Sequence, residues 1–212
     1  MSHTKTEAFF DNMSRTYERD LREIGWDPVA VIRDWPFIAM PKQTVLDAGC
    51  GTGLVLEHFS GADRKLIGFD LSERMVERAR RRSSLRDTEL FVHSVDEPWP
   101  VPDASVDRVV CIAVLEFIPK IEEVFDEIDR VLRPGGKALI SVEAKTDAEG
   151  REMPAYELRY GELPMWKRTQ EEVEMALPLT LRSTRYETQP AYKVVEYDYT
   201  CMYHFAELEK QT

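Results

Sequence analysis

The segment Val45-Leu46-Asp47-Ala48-Gly49-Cys50-Gly51-Thr52-Gly53 constrains this chain most, because it joins an apolar strand to a helix through glycines at alternate positions. Glycines there permit positive φ and let a ligand reach backbone that a Cβ would screen. From Thr44 onward, the apolar runs TVLDAG, RKLIGFD, TELFVHS, VDRVVCIAV and GKALISVE alternate with helical spacing at about 54–60, 72–83 and 120–132. That alternation predicts right-handed β-α-β units and an open α/β sheet with helices on both faces. A ligand is expected beyond the carboxyl ends of the strands.

The turn excludes some ligands. A dinucleotide fingerprint, G-x-G-x-x-G, needs glycine at 54, where this chain has Leu54. A phosphate-cradling loop ending in Gly-Lys-Ser/Thr does not occur. Asp47 would repel a pyrophosphate and attract the ammonium of an amino acid. Leu66-Ile67-Gly68-Phe69-Asp70 is the next strand, and it ends in a second carboxylate placed to accept ribose hydroxyls. A nucleoside joined to a cationic amino acid satisfies both acids.

The flanking segments read differently. Phe9, Phe10, Met13, Tyr17, Leu21 and Ile24 have helical spacing over about 6–24, and Asp27-Pro28 opens a second helix that ends by Pro36 and Pro41. Residues 144–168, with Gly150, Pro154, Gly161 and Pro164, predict a long irregular loop over a site. Thr169-Gln170-Glu171-Glu172 predicts a capping box and a short helix to about Leu177. Thr180–Glu187 and Val194–Leu208, separated by Gln189-Pro190, predict an antiparallel strand pair.

Length and charge narrow the function. A chain of 212 residues, 43% hydrophobic, can bury one sizeable core, so one domain is expected. It divides into a helical cap (1–42), a core (43–143), a substrate-side lid and helix (144–178) and the strand pair (179–212). A net charge of −11 opposes binding to nucleic acid. The run Arg78-Ala79-Arg80-Arg81-Arg82 follows Glu73 and Glu77 and predicts a solvated helix end. Cys50, Cys111 and Cys201 form no C-x-x-C pair, which fits reduced thiols and no metal site. Without an apolar stretch of signal-peptide or membrane-spanning length, the expectation is a cytoplasmic protein that does not enter membranes.

With those residues in view, the chain over about Phe10–Val142 resembles the class I S-adenosylmethionine (SAM)-dependent methyltransferases, whose first motif is an acid followed by G-x-G-x-G. Gly68-Phe69-Asp70-Leu71-Ser72, Pro100–Asp107 and Leu132-Arg133-Pro134-Gly135-Gly136 are similar to the later motifs in order. The small-molecule enzymes of the ubiquinone and menaquinone pathways are the nearest type. The resemblance implies a Rossmann-like, mostly parallel seven-stranded sheet whose last strand is antiparallel. It also implies SAM as cofactor and S-adenosylhomocysteine as product. Asp47 would lie near the methionyl part, Gly49, Gly51 and Gly53 would shape the turn, and Asp70 would hold the ribose. Leu71, Met75 and Ile112 would line the pocket, and Tyr17 would contact the cofactor from a helix that closes over it. The family's adenine-contacting acid falls at Val95, with Asp96 next to it. Where relatives often have histidine, this chain has Phe117.

A sulfonium already activates its methyl, so alignment and exclusion of water carry most of the chemistry. No catalytic residue is assigned. His58, His93, His204 and Glu116 are the candidate bases, and each reads better as structural. Tyr156, Tyr160 and Trp166 are the candidate acceptor contacts. The expected partner is a small-molecule acceptor with an O or N nucleophile, and the expected assembly is a monomer or homodimer. Two alternatives stay open: other SAM chemistry, such as aminocarboxypropyl transfer or cyclisation, and a SAM-binding partner protein without catalysis.

Overall fold

The computed structural model describes residues 3–35, 39–160, 163–194 and 197–212, so the predicted breakers Pro36 and Gly161, and Val195 and Glu196 of the predicted last strand, lie outside it. The chain begins with α1 (His3–Met13), α2 (Tyr17–Glu23) and α3 (Pro28–Asp34). Next come β1 (Thr44–Ala48), α4 (Leu54–His58), β2 (Lys65–Asp70), α5 (Glu73–Arg80), β3 (Glu89–Val92), β4 (Val106–Cys111) and α6 (Ile121–Val131). It ends with β5 (Leu132–Asp147), β6 (Tyr156–Arg159), β7 (Leu163–Trp166), α7 (Gln170–Met175), β8 (Leu181–Val194) and β9 (Tyr199–Lys210).

Seven strands form one sheet in the order β3-β2-β1-β4-β5-β9-β8. β1 pairs parallel to β2 and β4, while β9 runs antiparallel to both β5 and β8. β1 is buried along its whole length, as a central parallel strand must be. Its side chains alternate. Leu46 and Ala48 join Val109, Ile140 and the α6 residues Ile121, Val124, Phe125 and Ile128 on one face. Val45 joins Leu21, Ile32, Val55 and Leu56 on the other, so helices cover both faces. The chain adds β2 and β3 on one side of β1 and then crosses to add β4 on the other, and this switch in strand order leaves the crevice at the carboxyl ends of β1 and β4.

Local chemistry sets several helix starts. Asp27 caps α3 by accepting the amides of Val29 and Ala30 ahead of Pro28, Ser72 caps α5, and Thr169 with Glu172 forms the capping box of α7.

Four expectations need correction. Residues 144–168 are not an irregular loop: β5 continues to Asp147, and β6 pairs antiparallel with β7. β8 does not stop before Gln189-Pro190 but runs through both, which an edge strand tolerates because proline there costs no inner ladder bond. The first predicted helix is two, broken around Ser14, whose Oγ donates to the Asp11 carbonyl. The basic run is not simply solvated, since Arg82 is largely buried and pairs with Glu18 and Glu57. Among the described residues, no helix is long and apolar enough to cross a membrane.

Candidate functional site

Gly49, Gly51 and Gly53 all have positive φ, and two of them are closed to any side chain. A Cβ on Gly49 would lie 2.4 Å from Val114 Cγ2, and one on Gly53 2.7 Å from Leu85 Cδ1. A Cβ on Gly51 would meet nothing nearer than Tyr17, at 3.9 Å, so its backbone faces open space. The turn is fixed to β2 through Asp70, whose Oδ2 accepts the Gly51 amide at 2.9 Å while Oδ1 accepts the Ser72 amide at 2.9 Å.

Two hollows border this turn, and a third adjoins them at Tyr17 and Ala113. The first is lined by Gly49, Gly51, Asp70, Leu71, Met75, Ser94, Val95 and Ile112, among others. The second is walled by Asp47, Gly49–Thr52, Trp26 and Pro28. The third is aromatic, with Phe9, Phe10, Trp26, Phe117, Tyr160, Tyr192 and Tyr203 around Glu116 and Arg159. Tyr17 and Ala113 belong to the walls of all three. Ala113 holds a left-handed φ of 58°, with its amide bound by Ser141 Oγ at 2.8 Å.

Electrostatics at the junction are unusual. Asp47 is 3% exposed, and its Oδ2 has no hydrogen-bond partner among the described residues. Burial, then the nearby Asp70, pushes its carboxyl up to about 8, against the Leu56 amide. Burial raises Asp70 to about 6, and Asp11 adds to it, while the Ser72 and Gly51 amides pull it down. A cationic group in the second hollow would complete Asp47, and the bare Gly51 backbone leaves room for it. The residues present therefore fit a nucleoside carrying an ammonium.

The helical cap is tied down beside the turn. Ser72 Oγ donates to Asp11 Oδ1 at 2.5 Å, and Thr52 Oγ1 donates to Glu18 Oε1 at 3.0 Å. These contacts set α1 and α2 over the crevice and put Phe10 5.2 Å from Phe117, edge to face.

The sequence-derived site residues mostly converge. Tyr17, Gly49, Gly51, Asp70, Leu71, Met75, Val95 and Ile112 share the first hollow, and Asp47 adjoins it. Gly53 instead starts α4, packed on Leu85 and Ala79. Asp96 is not in the wall; Ser94 Oγ donates to its Oδ1 at 2.5 Å. Tyr160 lines the aromatic hollow, whereas Tyr156 and Trp166 pack on each other at 5.3 Å, outside that hollow. His204 is held by Thr188 Oγ1 at 2.8 Å and the Arg168 carbonyl at 3.1 Å, His93 by the Pro98 carbonyl, and His58 is exposed. Sequence reasoning missed Trp26, Tyr192 and Tyr203, whose only signal was aromatic enrichment at both ends of the chain. The three cysteines are free and buried, and no group of His, Cys, Asp or Glu among the described residues could hold a metal ion.

Comparison with known proteins adds the family. A family model described as "Methyltransferase domain" matches residues 46–140, from β1 through the middle of β5. An arsenite methyltransferase of Halobacterium salinarum is 38% identical over 111 residues, covering 50% of this chain and 28% of that protein. A demethylmenaquinone methyltransferase of Clavibacter sepedonicus is 30% identical over 139 residues, covering 64% and 57%. Over residues 46–140 the chain is similar to the SAM-dependent methyltransferase family. SAM is the cofactor of that family and S-adenosylhomocysteine the product. The fold agrees along nearly the whole chain: the crystal structure of a SAM-dependent methyltransferase from Mesorhizobium loti superposes with a TM-score of 0.68, at 20% identity, covering 85% of this chain and 96% of that one. The matches to the two curated methyltransferases take in less than two thirds of their lengths.

Proposed function

We propose that this protein transfers the methyl group of SAM to an O or N nucleophile of a small molecule seated in the aromatic hollow. The single observation that carries the reading is the meeting of three hollows at Tyr17 and Ala113, with an unpartnered buried carboxylate oxygen in one of them and aromatic walls in another.

In this reading Asp47 receives the ammonium of the amino acid arm, and Asp70 accepts the ribose hydroxyls beside the two amides it already holds. Leu71, Met75, Val95 and Ile112 enclose the adenine. Tyr17 borders both the cofactor and the acceptor hollows and helps to exclude water from their junction. The β6–β7 hairpin, with Tyr160, Leu163 and Met165, closes the acceptor side as a lid. When bound, SAM supplies an activated methyl, so the protein's work is to hold the nucleophile in line with it in a dry site. Free, buried cysteines support a cytoplasmic setting.

Calorimetry with SAM, S-adenosylhomocysteine and NAD tests the cofactor, with Asp70→Ala and Gly51→Val expected to abolish binding. Tight binding of NAD without SAM would overturn the reading. Incubation with labelled SAM and a metabolite extract should yield S-adenosylhomocysteine, and methylthioadenosine instead would assign the site to aminocarboxypropyl transfer or cyclisation. Binding without turnover on any fraction would make the chain a SAM-binding partner protein.

A further inference from the structure

Glu116 lies in the short helical turn Leu115–Phe117, where β4 runs out above the junction. It is 1% exposed and lines the aromatic hollow. Tyr203 donates its hydroxyl to Oε1. Oε2 is buried and has no hydrogen-bond partner among the described residues. An apolar wall does not keep a carboxylate oxygen unpaired without cost, and the hollow is the side from which a donor can arrive.

The other charged residue of that wall cannot serve the purpose. Arg159 has its donors committed to Glu143, Glu157, Tyr192 and Tyr199. The next residue, Phe117, is shared by the cofactor hollow and the aromatic hollow, so Glu116 stands one residue from the place where the two ligands would meet.

Resting on the methyl-transfer reading above, the geometry points to Glu116 as a catalytic residue whose Oε2 takes the proton of a neutral aromatic hydroxyl, such as that of a phenol, as its oxygen is methylated. The acceptor oxygen gains the methyl carbon while the S–CH3 bond breaks and its electron pair stays on sulfur. The hydroxyl proton passes to Glu116, which returns it to water after product leaves. Tyr203 is the positioning residue, because its hydroxyl fixes Oε1 and turns Oε2 to the acceptor.

The surroundings suit a base near neutrality. Burial pushes Glu116 up to about 7, with Glu143 on β5 adding to the rise and Tyr203 on β9 and Arg159 on β6 opposing it. Arg168, after β7, also interacts with it. The hydroxyls of Tyr17 and Tyr192 and the thiols of Cys111 and Cys201 also face it, and burial raises all four.

Two phenols separate this role from a structural one. At about pH 8, two units below the pKa of ~10 of an ordinary phenol, phenol needs a base, whereas 4-nitrophenol is already ionised. Glu116→Gln should slow methylation of phenol about 100-fold or more and should not slow that of 4-nitrophenol, which the variant holds as the phenolate. Glu116→Asp should restore part of the loss. Equal loss on both phenols would overturn the role.

A second readout needs no turnover. Titrating 4-nitrophenol into protein saturated with S-adenosylhomocysteine should quench the phenolate absorbance in the wild type, because two buried anions in contact share one proton. Glu116→Gln should keep the phenolate band. Identical spectra would make Glu116 structural. SAM binding with neither phenol bound nor methylated would overturn the acceptor assignment alone, whereas absent SAM binding would overturn the reading beneath it.

Discussion

Arg82 donates through Nη2 to Glu18 Oε1 at 2.6 Å and so joins the helix that covers the crevice to the end of the helix after β2. The same guanidinium binds the Thr52 carbonyl at 2.6 Å and the Glu57 carboxylate, so one cation fixes α2, the glycine turn and α4 together. Glu18→Gln keeps the shape and removes the charge. It should lower stability by about 1.5–3 kcal/mol in urea unfolding and weaken SAM binding in calorimetry.

Gly49 tests the closeness of the turn to the segment that follows β4. Gly49→Ala places a methyl against Val114 in a backbone conformation that disfavours it. The expected cost is about 1–3 kcal/mol, read as a lower urea midpoint. Adding Val114→Ala should recover part of it, since the φ of Gly49 remains unfavourable for alanine.

Asp47 and Asp70 make the site sensitive to pH. Folding raises Asp47 from 3.8 to about 8 and Asp70 from 3.8 to about 6, so the folded protein holds more protons than the unfolded chain between those values. Their contribution to stability is greatest below about pH 4 and falls as pH rises, for Asp47 until about pH 8. An ammonium beside Asp47 favours its ionised form. SAM should therefore bind more tightly as pH rises from about pH 6 to about pH 8 and release a proton on binding within that range. Calorimetry at pH 7 in buffers of different ionisation enthalpy should show that proton, and Asp47→Asn should abolish it.

Arg159 is buried among Glu143, Glu157, Tyr192 and Tyr199, with Lys167 balancing the second glutamate at 2.7 Å. Removing one member leaves carboxylates uncompensated in the interior. Arg159→Met should lose about 3–5 kcal/mol in urea unfolding. Breaking the surface pair Arg33–Asp27, both more than half exposed, by Arg33→Gln, which keeps the Asp27 cap, should change stability by less than about 1 kcal/mol.

The legible parts of the sequence were those whose physics is local. The strand-to-helix alternation, the acid-and-glycine turn and the caps at Asp27 and Thr169 each act within a few residues, and each stands where the spacing put it. The β6–β7 hairpin was not legible, because its inward residues Arg159 and Lys167 look solvent-facing until Glu143 and Glu157 meet them. Pro190 misled for the opposite reason: it breaks an inner strand, and nothing nearby in sequence says that β8 lies at an edge. Glu116 read as a helix-start residue because Tyr203, which orients it, lies 87 residues away.

Tyr17 walls the cofactor hollow, the carboxylate hollow and the aromatic hollow at once. A wall held in common makes the ligands thermodynamic neighbours even where they do not touch. Whatever factor a substitution at this position adds to the grip of the first ligand on the second, the second must return to the first. Selectivity for the acceptor therefore cannot be retuned at Tyr17 without moving the affinity for the methyl donor as well.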